Sequence, residues 1–172
     1  TTVSILDIKT ATNPDMIYSA SEKYNENINV FPGVLPKIMD ISNIDTPLIL
    51  KAATYLKRSG DFNIAVSGQL HGPSWILPLL SDLIFLVVKP DRSSIDAFRE
   101  QVEFIARLGC QDRLKIILNQ SQMPGGIAEV ENFFTPDIVL PYDVEIIRQC
   151  NKRSLAPNNR NKNALIKTIQ NY

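Results

Sequence analysis

Residues 81–119 read SDLIFLVVKPDRSSIDAFREQVEFIARLGCQDRLKIILN, and they form a strand–helix–strand pattern. Two continuous apolar runs, Leu83–Val88 and Leu114–Leu118, flank a segment with helical periodicity. The apolar positions of that segment are Ile95, Phe98, Val102 and Ile105, and Gly109 follows as a helix stop. Continuous rather than alternating apolar runs predict strands covered on both faces, as in a parallel sheet between helices.

The same alternation extends to both sides of this unit. Further strands are predicted at 3–6, 28–31, 64–66 and 138–140. Helices are predicted from Thr46, with Thr46 as N-cap and Pro47 at the first position, and at about 74–79, 128–134, 143–150 and 163–172. Strands that alternate with helices predict a mostly parallel, doubly wound α/β sheet in a single domain spanning 1–172.

Composition limits the classes of function. Lys plus Arg and Asp plus Glu are both 18, so a strongly basic nucleic-acid binder is not favoured. No apolar stretch is long enough to span a membrane, and no secretory signal is visible at residue 1, which favours a cytoplasmic protein. Cys110 and Cys150 match neither a zinc pattern nor a disulfide framework, so buried free thiols are predicted.

Ligands of doubly wound sheets bind beyond the carboxyl ends of the strands. In this chain those ends are the polar or turn-rich segments 7–10, 32–36, 67–72, 89–92, 119–122 and 141–143. His71 is the only histidine. A hydrolase would also need a nucleophile turn such as G-x-S-x-G and an acid that orients the histidine, and the sequence does not show this combination. No metal site is predicted.

The order of motifs from residue 60 onward resembles the ParA/MinD-type P-loop ATPases. The matching features are Ser81-Asp82, the strand 83–88, Lys89-Pro90-Asp91, the helix 95–108, Leu118-Asn119 and Leu140-Pro141-Tyr142-Asp143. Trp75 ahead of a Leu-rich turn makes the chain most similar to the CpaE/TadZ branch, which positions the Tad (Flp) pilus and secretion machinery. Residues 1–59 match loosely, through Ile5–Lys9 and Ile28–Gly33.

The resemblance implies an adenine-binding end formed by Asn119, Pro141 and Asp143. An amide such as that of Asn119 offers a donor and an acceptor to a base edge, and the resemblance makes Pro141 and Asp143 the wall of the base. Two local roles stay open beside this interpretation: Asn119 ends a strand, and Asp143 caps a helix.

The phosphate end departs from the family. No G-x-x-x-x-G-K-[ST] loop occurs in the sequence. The resemblance places Asp7 and Lys9 on the two switch aspartates, so that a lysine replaces the second, and it places Ser67 on the Walker B-like aspartate. Ser67 adds no charge to hold Mg²⁺, and Lys9 cannot accept a hydrogen bond from an attacking water. These changes argue against hydrolysis, because phosphoryl transfer depends on positioning and metal electrostatics.

The resemblance therefore implies a non-hydrolysing ParA/MinD-like localisation or scaffold protein for pilus (Tad/Flp) assembly and secretion machinery, whereas composition and spacing imply only the fold. Implied partners are a second copy and pilus or secretion assembly proteins; no cofactor is expected, although the fold leaves room for ATP. The tail 151–172 carries five Lys or Arg and no acidic residue. Two interpretations stay open: a docked terminal helix with a basic outer face, and peripheral contact with the inner membrane or cell pole. One alternative is an active ATPase whose phosphate loop lies upstream of residue 1. Another is a DNA-associated partition factor, which the neutral net charge disfavours.

Overall fold

The computed structural model describes residues 16, 21–31, 44–58, 60–70, 72–144 and 148. The chain divides into two compact units, Thr1–Ser81 and Asp82–Tyr172. Asp7 and Lys9, His71, Cys150 and the basic tail 151–172 lie outside the described residues, and the predictions for them stay predictions. The prediction of a single domain also stays a prediction.

The first unit contains a small hairpin and short helices. Strands β1 (Glu22–Lys23) and β2 (Asn29–Val30) pair antiparallel and are exposed. Helix α1 spans Thr46–Leu56 and buries Leu48 and Ala52, one turn apart on the same face. A 3₁₀ turn at Gly72–Ile76 leads into the four-residue helix α2 (Leu77–Leu80), and both contact α1.

The second unit is built on a three-stranded parallel sheet. Strand β3 (Ile84–Val88) leads through helix α3 (Arg92–Arg107) to β4 (Leu114–Ser121), and β5 (Ile138–Pro141) completes the sheet in the order β3-β4-β5. A 3₁₀ turn at Gln111–Arg113 precedes β4, and another at Val130–Asn132 precedes β5. The predicted α/β class and the strand–helix–strand unit at 83–118 are thus confirmed. The parallel sheet of the described residues has three strands.

The core of this unit lies between the sheet and α3. Val88, Ile95 and Phe98 are buried together. The half-buried apolar residues packed around them are Leu86, Val102, Ile116, Ile127, Phe133 and Phe134. The rings of Phe98 and Phe134 tilt against each other with centroids 4.5 Å apart. Core contacts from β3, α3 and the segment before β5 therefore stabilise the unit. Burial of apolar surface contributes about 25 cal/mol per Å² to the free energy of folding.

Asp137 fastens the start of β5 to β4. Its carboxylate accepts hydrogen bonds from the backbone N–H of Ile116 (2.7 Å) and from Lys115 Nζ (2.9 Å). Its own N–H donates to the Ile116 carbonyl oxygen (2.9 Å). The bond from the Ile116 N–H, followed by that from Lys115, lowers the pKa of Asp137 below its usual value.

One predicted strand is confirmed only in part, and another is wrong in the structure. Only Asn29–Val30 of the predicted strand 28–31 is a strand, and it belongs to an exposed antiparallel hairpin. Residues 64–66 pair with no strand among the described residues, and Ile64 and Val66 are 89% and 93% exposed. Apolar sequence alone does not make a strand, because a ladder needs a neighbour that supplies hydrogen bonds.

Three further predictions, for an N-cap, a short helix and a cysteine thiol, can be compared with the structure. The N-cap of α1 is Asp45 rather than Thr46, because the Asp45 carboxylate accepts the Leu48 N–H at 2.9 Å. Residues 128–134 form the 3₁₀ turn Val130–Asn132 in place of the predicted helix. Cys110 is a buried free thiol, as predicted, and accepts a hydrogen bond from Arg113 Nη2 at 2.8 Å.

Candidate functional site

The loop after β3 is folded around Asp91. Its carboxylate Oδ1 accepts the Ser94 backbone N–H and the Ser93 hydroxyl, both at 2.8 Å, and so caps α3. The Ser94 hydroxyl accepts the Lys89 N–H at 2.9 Å. The bond from the Ser94 N–H, followed by that from Ser93, lowers the pKa of Asp91. The polar groups of this loop thus supply hydrogen-bond acceptors at the first turn of α3.

The loop after β4 makes two consecutive turns. The Met123 N–H donates to the Gln120 carbonyl oxygen (3.1 Å), and the Gly126 N–H donates to the Met123 carbonyl oxygen (2.9 Å). Gln120 and Gln122 adopt φ values of 59° and 63°, in the left-handed region that non-glycine residues rarely enter. Pro124 and Gly125, with φ 77° at Gly125, suit the second turn.

Backbone hydrogen bonds tie this loop to the loops on either side. The Tyr142 N–H, just after β5, donates to the Ser121 carbonyl oxygen at 2.9 Å. On the other side, the Ile127 N–H donates to the Pro90 carbonyl oxygen at 2.7 Å. The carboxyl ends of β3, β4 and β5 therefore meet in one connected rim, which is the position that ligands of parallel sheets occupy.

Among the predicted adenine-end residues, Asn119 and Pro141 come together on this rim. Asn119 is a half-buried residue of β4, and Pro141 ends β5 opposite Ser121. Asp143 follows two residues later, and helical residues Val144 and Arg148 come after it, in line with the predicted helix 143–150. The nucleotide roles of all three stay predictions.

Ser67, the predicted Walker B-like position, belongs to the first unit. It is exposed, follows the unpaired segment 62–66, and donates a long 3.4 Å hydrogen bond to the Gly68 carbonyl oxygen. Its hydroxyl carries no charge, so Ser67 by itself provides no electrostatic ligand for a divalent cation. Within the described ranges, no group of three or more His, Cys, Asp or Glu side chains could hold a metal ion.

Sequence reasoning missed the backbone conformation of the rim. Nothing in the letters Asn-Gln-Ser-Gln signals two left-handed residues, because Gly, Asn and Asp are the usual signals. Gly126 was also missed: a Cβ there would lie 3.1 Å from the Pro90 carbonyl oxygen and 3.0 Å from that of Met123. The run 124–126, Pro-Gly-Gly, does indicate a turn at this place, although not the close approach to Pro90.

The described residues define a ParA-like α/β fold. The chain is similar to a crystal structure of a ParA family ATPase from Chlorobium tepidum TLS, with a TM-score of 0.77 and 16% sequence identity. The match covers 97% of this chain and 72% of that one. No protein-family model matches the chain, and no curated protein matches it in sequence. At this level of identity the similarity establishes the fold, as the motif order predicted.

No helix in the described part of the chain combines the length and the apolar character needed to cross a bilayer.

Proposed function

We propose that this chain is a ParA-like localisation or scaffold domain that binds ATP without hydrolysing it. The observation that carries the proposal is the contrast between the rim and Ser67. The rim joins three strand ends and presents uncharged amide and hydroxyl side chains at Asn119, Gln120 and Ser121. Ser67, where the resemblance expects a charged metal ligand, has a hydroxyl that bonds its own loop.

Uncharged polar groups suit a nucleoside better than a triphosphate. An amide can donate to and accept from a base edge, whereas phosphates need cations, a helix N-terminus or a glycine-rich loop. The N-terminus of α3 beside the rim is capped by Asp91, whose carboxylate would repel a phosphate. The proposed contacts of ATP are accordingly at its base end, through Asn119, Pro141 and Asp143.

A role in assembly fits the surface of the second unit. Leu83, Phe85 and Val87 are each about half exposed, at 48%, 52% and 55%. Exposed apolar residues in a cluster are typical of surfaces that contact another protein. In the proposal, this surface serves self-association and docking to pilus or secretion assembly proteins at the inner membrane. The similarity to the CpaE/TadZ branch supports that finer role.

Turnover is the decisive measurement. Release of inorganic phosphate from Mg-ATP is followed with the full chain and with Ser67→Asp, and ATP binding is followed by calorimetry. We expect binding with no turnover above background in both proteins, since one carboxylate restores neither the phosphate loop nor the switch residues. Turnover by the chain itself would overturn the proposal, and turnover gained by Ser67→Asp would overturn the assignment of Ser67.

Assembly is tested on the same samples by light scattering with and without ATP. A dimer supports the scaffold role, and its enhancement by ATP would make the nucleotide the switch. A monomer under all conditions would argue against self-association. Phe85→Ser is the matched variant, because it removes an exposed apolar side chain from β3 without opening the core; it should weaken the dimer.

The second candidate is an active ATPase whose phosphate loop lies ahead of residue 1. The observation in its favour is that the similar ATPase structure includes chain beyond the 72% that this sequence covers. A longer reading frame with G-K-[ST] shortly before Thr1 would favour this function. Phosphate release by that longer protein, absent from its Lys→Ala variant at that motif, would establish it.

A further inference from the structure

The ladder between β4 and β5 contains one extra residue on β4. Leu118 faces Val139, and Ser121 faces Pro141, so three steps along β4 correspond to two along β5. Gln120, inside this irregular stretch, has φ 59°. Such bulges redirect a side chain and are frequent beside functional sites.

The extra residue changes the environment of Gln120. Side chains alternate along a strand, so a regular β4 would put Gln120 on the same face as Leu118, which is 5% exposed. The left-handed residue breaks that alternation, and Gln120 is half-buried at the rim. Within residues 72–144, neither the Asn119 nor the Gln120 side chain takes part in a hydrogen bond.

We propose that Gln120 is a second base-reading residue beside Asn119. The base-pairing edge of a purine places a hydrogen-bond donor and a hydrogen-bond acceptor side by side. Each side-chain amide likewise offers both a donor and an acceptor. A lone amide can turn over to match either adenine or guanine, whose exocyclic groups reverse donor and acceptor. Two successive amides that also hydrogen-bond each other at the base edge would hold one orientation and so distinguish the two bases. The inference rests on the proposed binding of ATP and adds the residue that sets base preference.

The test compares ATP and GTP affinities of the full chain and three variants by calorimetry with Mg²⁺. Gln120→Gly removes the amide and suits the left-handed backbone, whereas Gln120→Asn retains an amide in a residue that tolerates that conformation. Gln122→Gly is the matched control, because Gln122 has φ 63° but is exposed in the following turn.

The expected result is a loss of base preference confined to residue 120. Gln120→Gly should reduce the ratio of ATP to GTP affinity by roughly five- to tenfold, as expected for one hydrogen bond. Gln120→Asn should retain part of the preference, and Gln122→Gly all of it. Melting temperatures should be unchanged or raised in both glycine variants, because glycine relieves the positive φ.

Three outcomes would overturn the inference: an unchanged ATP-to-GTP ratio in Gln120→Gly, an equal loss for both nucleotides, or no nucleotide binding by the unaltered chain. The absence of nucleotide binding would refute the proposed function as well, whereas ATP binding with an unchanged ATP-to-GTP ratio would refute the inference alone. The release of phosphate would refute the proposed function alone. A chain that hydrolyses ATP and loses base preference on Gln120→Gly would refute the scaffold proposal and support the role of Gln120.

Discussion

Ile127 and Pro90 join two strand-end loops through a 2.7 Å hydrogen bond from the Ile127 N–H to the Pro90 carbonyl oxygen. The contact brings the segment after β4 against the segment after β3, and Gly126 lies in the narrow space between them. A Cβ on Gly126 would be 3.1 Å from the Pro90 carbonyl oxygen and 3.2 Å from Pro90 Cγ. The rim therefore depends on a residue without a side chain at that point.

Gly126→Ala should destabilise the protein through this crowding alone, because Gly126 does not need a left-handed backbone. We expect a loss of about 1–3 kcal/mol in the free energy of unfolding, the usual cost of overpacking. Urea denaturation followed by far-UV circular dichroism measures it. Gly60→Ala is the matched control, since its nearest neighbour would be 3.7 Å away; equal effects of the two variants would refute the steric argument.

Ile95→Ala tests whether the core lies between α3 and the sheet. Ile95 is fully buried against Val88 and Phe98, so the substitution removes apolar contacts and leaves a cavity. We expect a loss of about 2–5 kcal/mol. The same substitution at Ile64, which is almost fully exposed, should change stability by less than about 0.5 kcal/mol. A larger loss at Ile64 would mean that segment 62–66 is covered in solution.

The strand–helix–strand unit could be predicted because its burial is local in sequence. Leu83–Val88 and Leu114–Leu118 are apolar throughout, and the α3 stripe of Ile95, Phe98 and Ile105 repeats at helical spacing. The strand predicted at 64–66 failed because pairing depends on a neighbour elsewhere in the chain. Three residues of apolar sequence carry no information about that neighbour.

The candidate site was predictable only in part, for a similar reason. The apolar runs marked where β4 and β5 end, and the family resemblance then singled out Asn119, Pro141 and Asp143 at those ends. The bulge at Gln120 arises from the register of two strands, and glutamine does not signal a positive φ. The capping role of Asp91 was readable in principle from Asp-x-x-Ser ahead of a periodic segment, yet the predicted helix 95–108 began later than the observed start at Arg92.

Asp91→Ala should weaken α3 by removing its N-cap. The carboxylate accepts the Ser94 N–H, which has no partner within the helix. We expect a loss of about 1 kcal/mol in the free energy of unfolding, measured by urea denaturation. Asp96→Ala is the matched control: its exposed ion pair with Arg92 should contribute at most about 0.5 kcal/mol. If Asp96→Ala lowers the free energy of unfolding as much as Asp91→Ala does, loss of the N-cap does not explain the effect.

Asp137→Asn should make the free energy of unfolding less dependent on pH in the acid range. The folded pKa of Asp137 is lowered, so its stabilisation is fully present above the unfolded pKa of about 3.9 and is lost as pH falls through the folded pKa. Asparagine still accepts the Ile116 N–H but does not titrate. Urea midpoints at neutral and acidic pH should therefore differ less in this variant than in the unaltered chain.

Lys115→Gln separates the two causes of that lowered pKa. The hydrogen bond from the Ile116 N–H is the larger cause, and it survives in this variant. Lys115→Gln should accordingly retain part of the acid sensitivity that Asp137→Asn removes. A curve for Lys115→Gln as flat as that of Asp137→Asn would show that the ion pair at 2.9 Å, rather than the backbone bond, sets the pH dependence.

Asn119→Ala decides between the two roles left open for that residue. If the amide contacts a base, ATP affinity measured by calorimetry should fall about five- to tenfold, the equivalent of one hydrogen bond, while the urea midpoint stays the same. If Asn119 only ends β4, the affinity should not change. We expect the first result, because within residues 72–144 the side chain is half-buried yet makes no hydrogen bond that alanine would break.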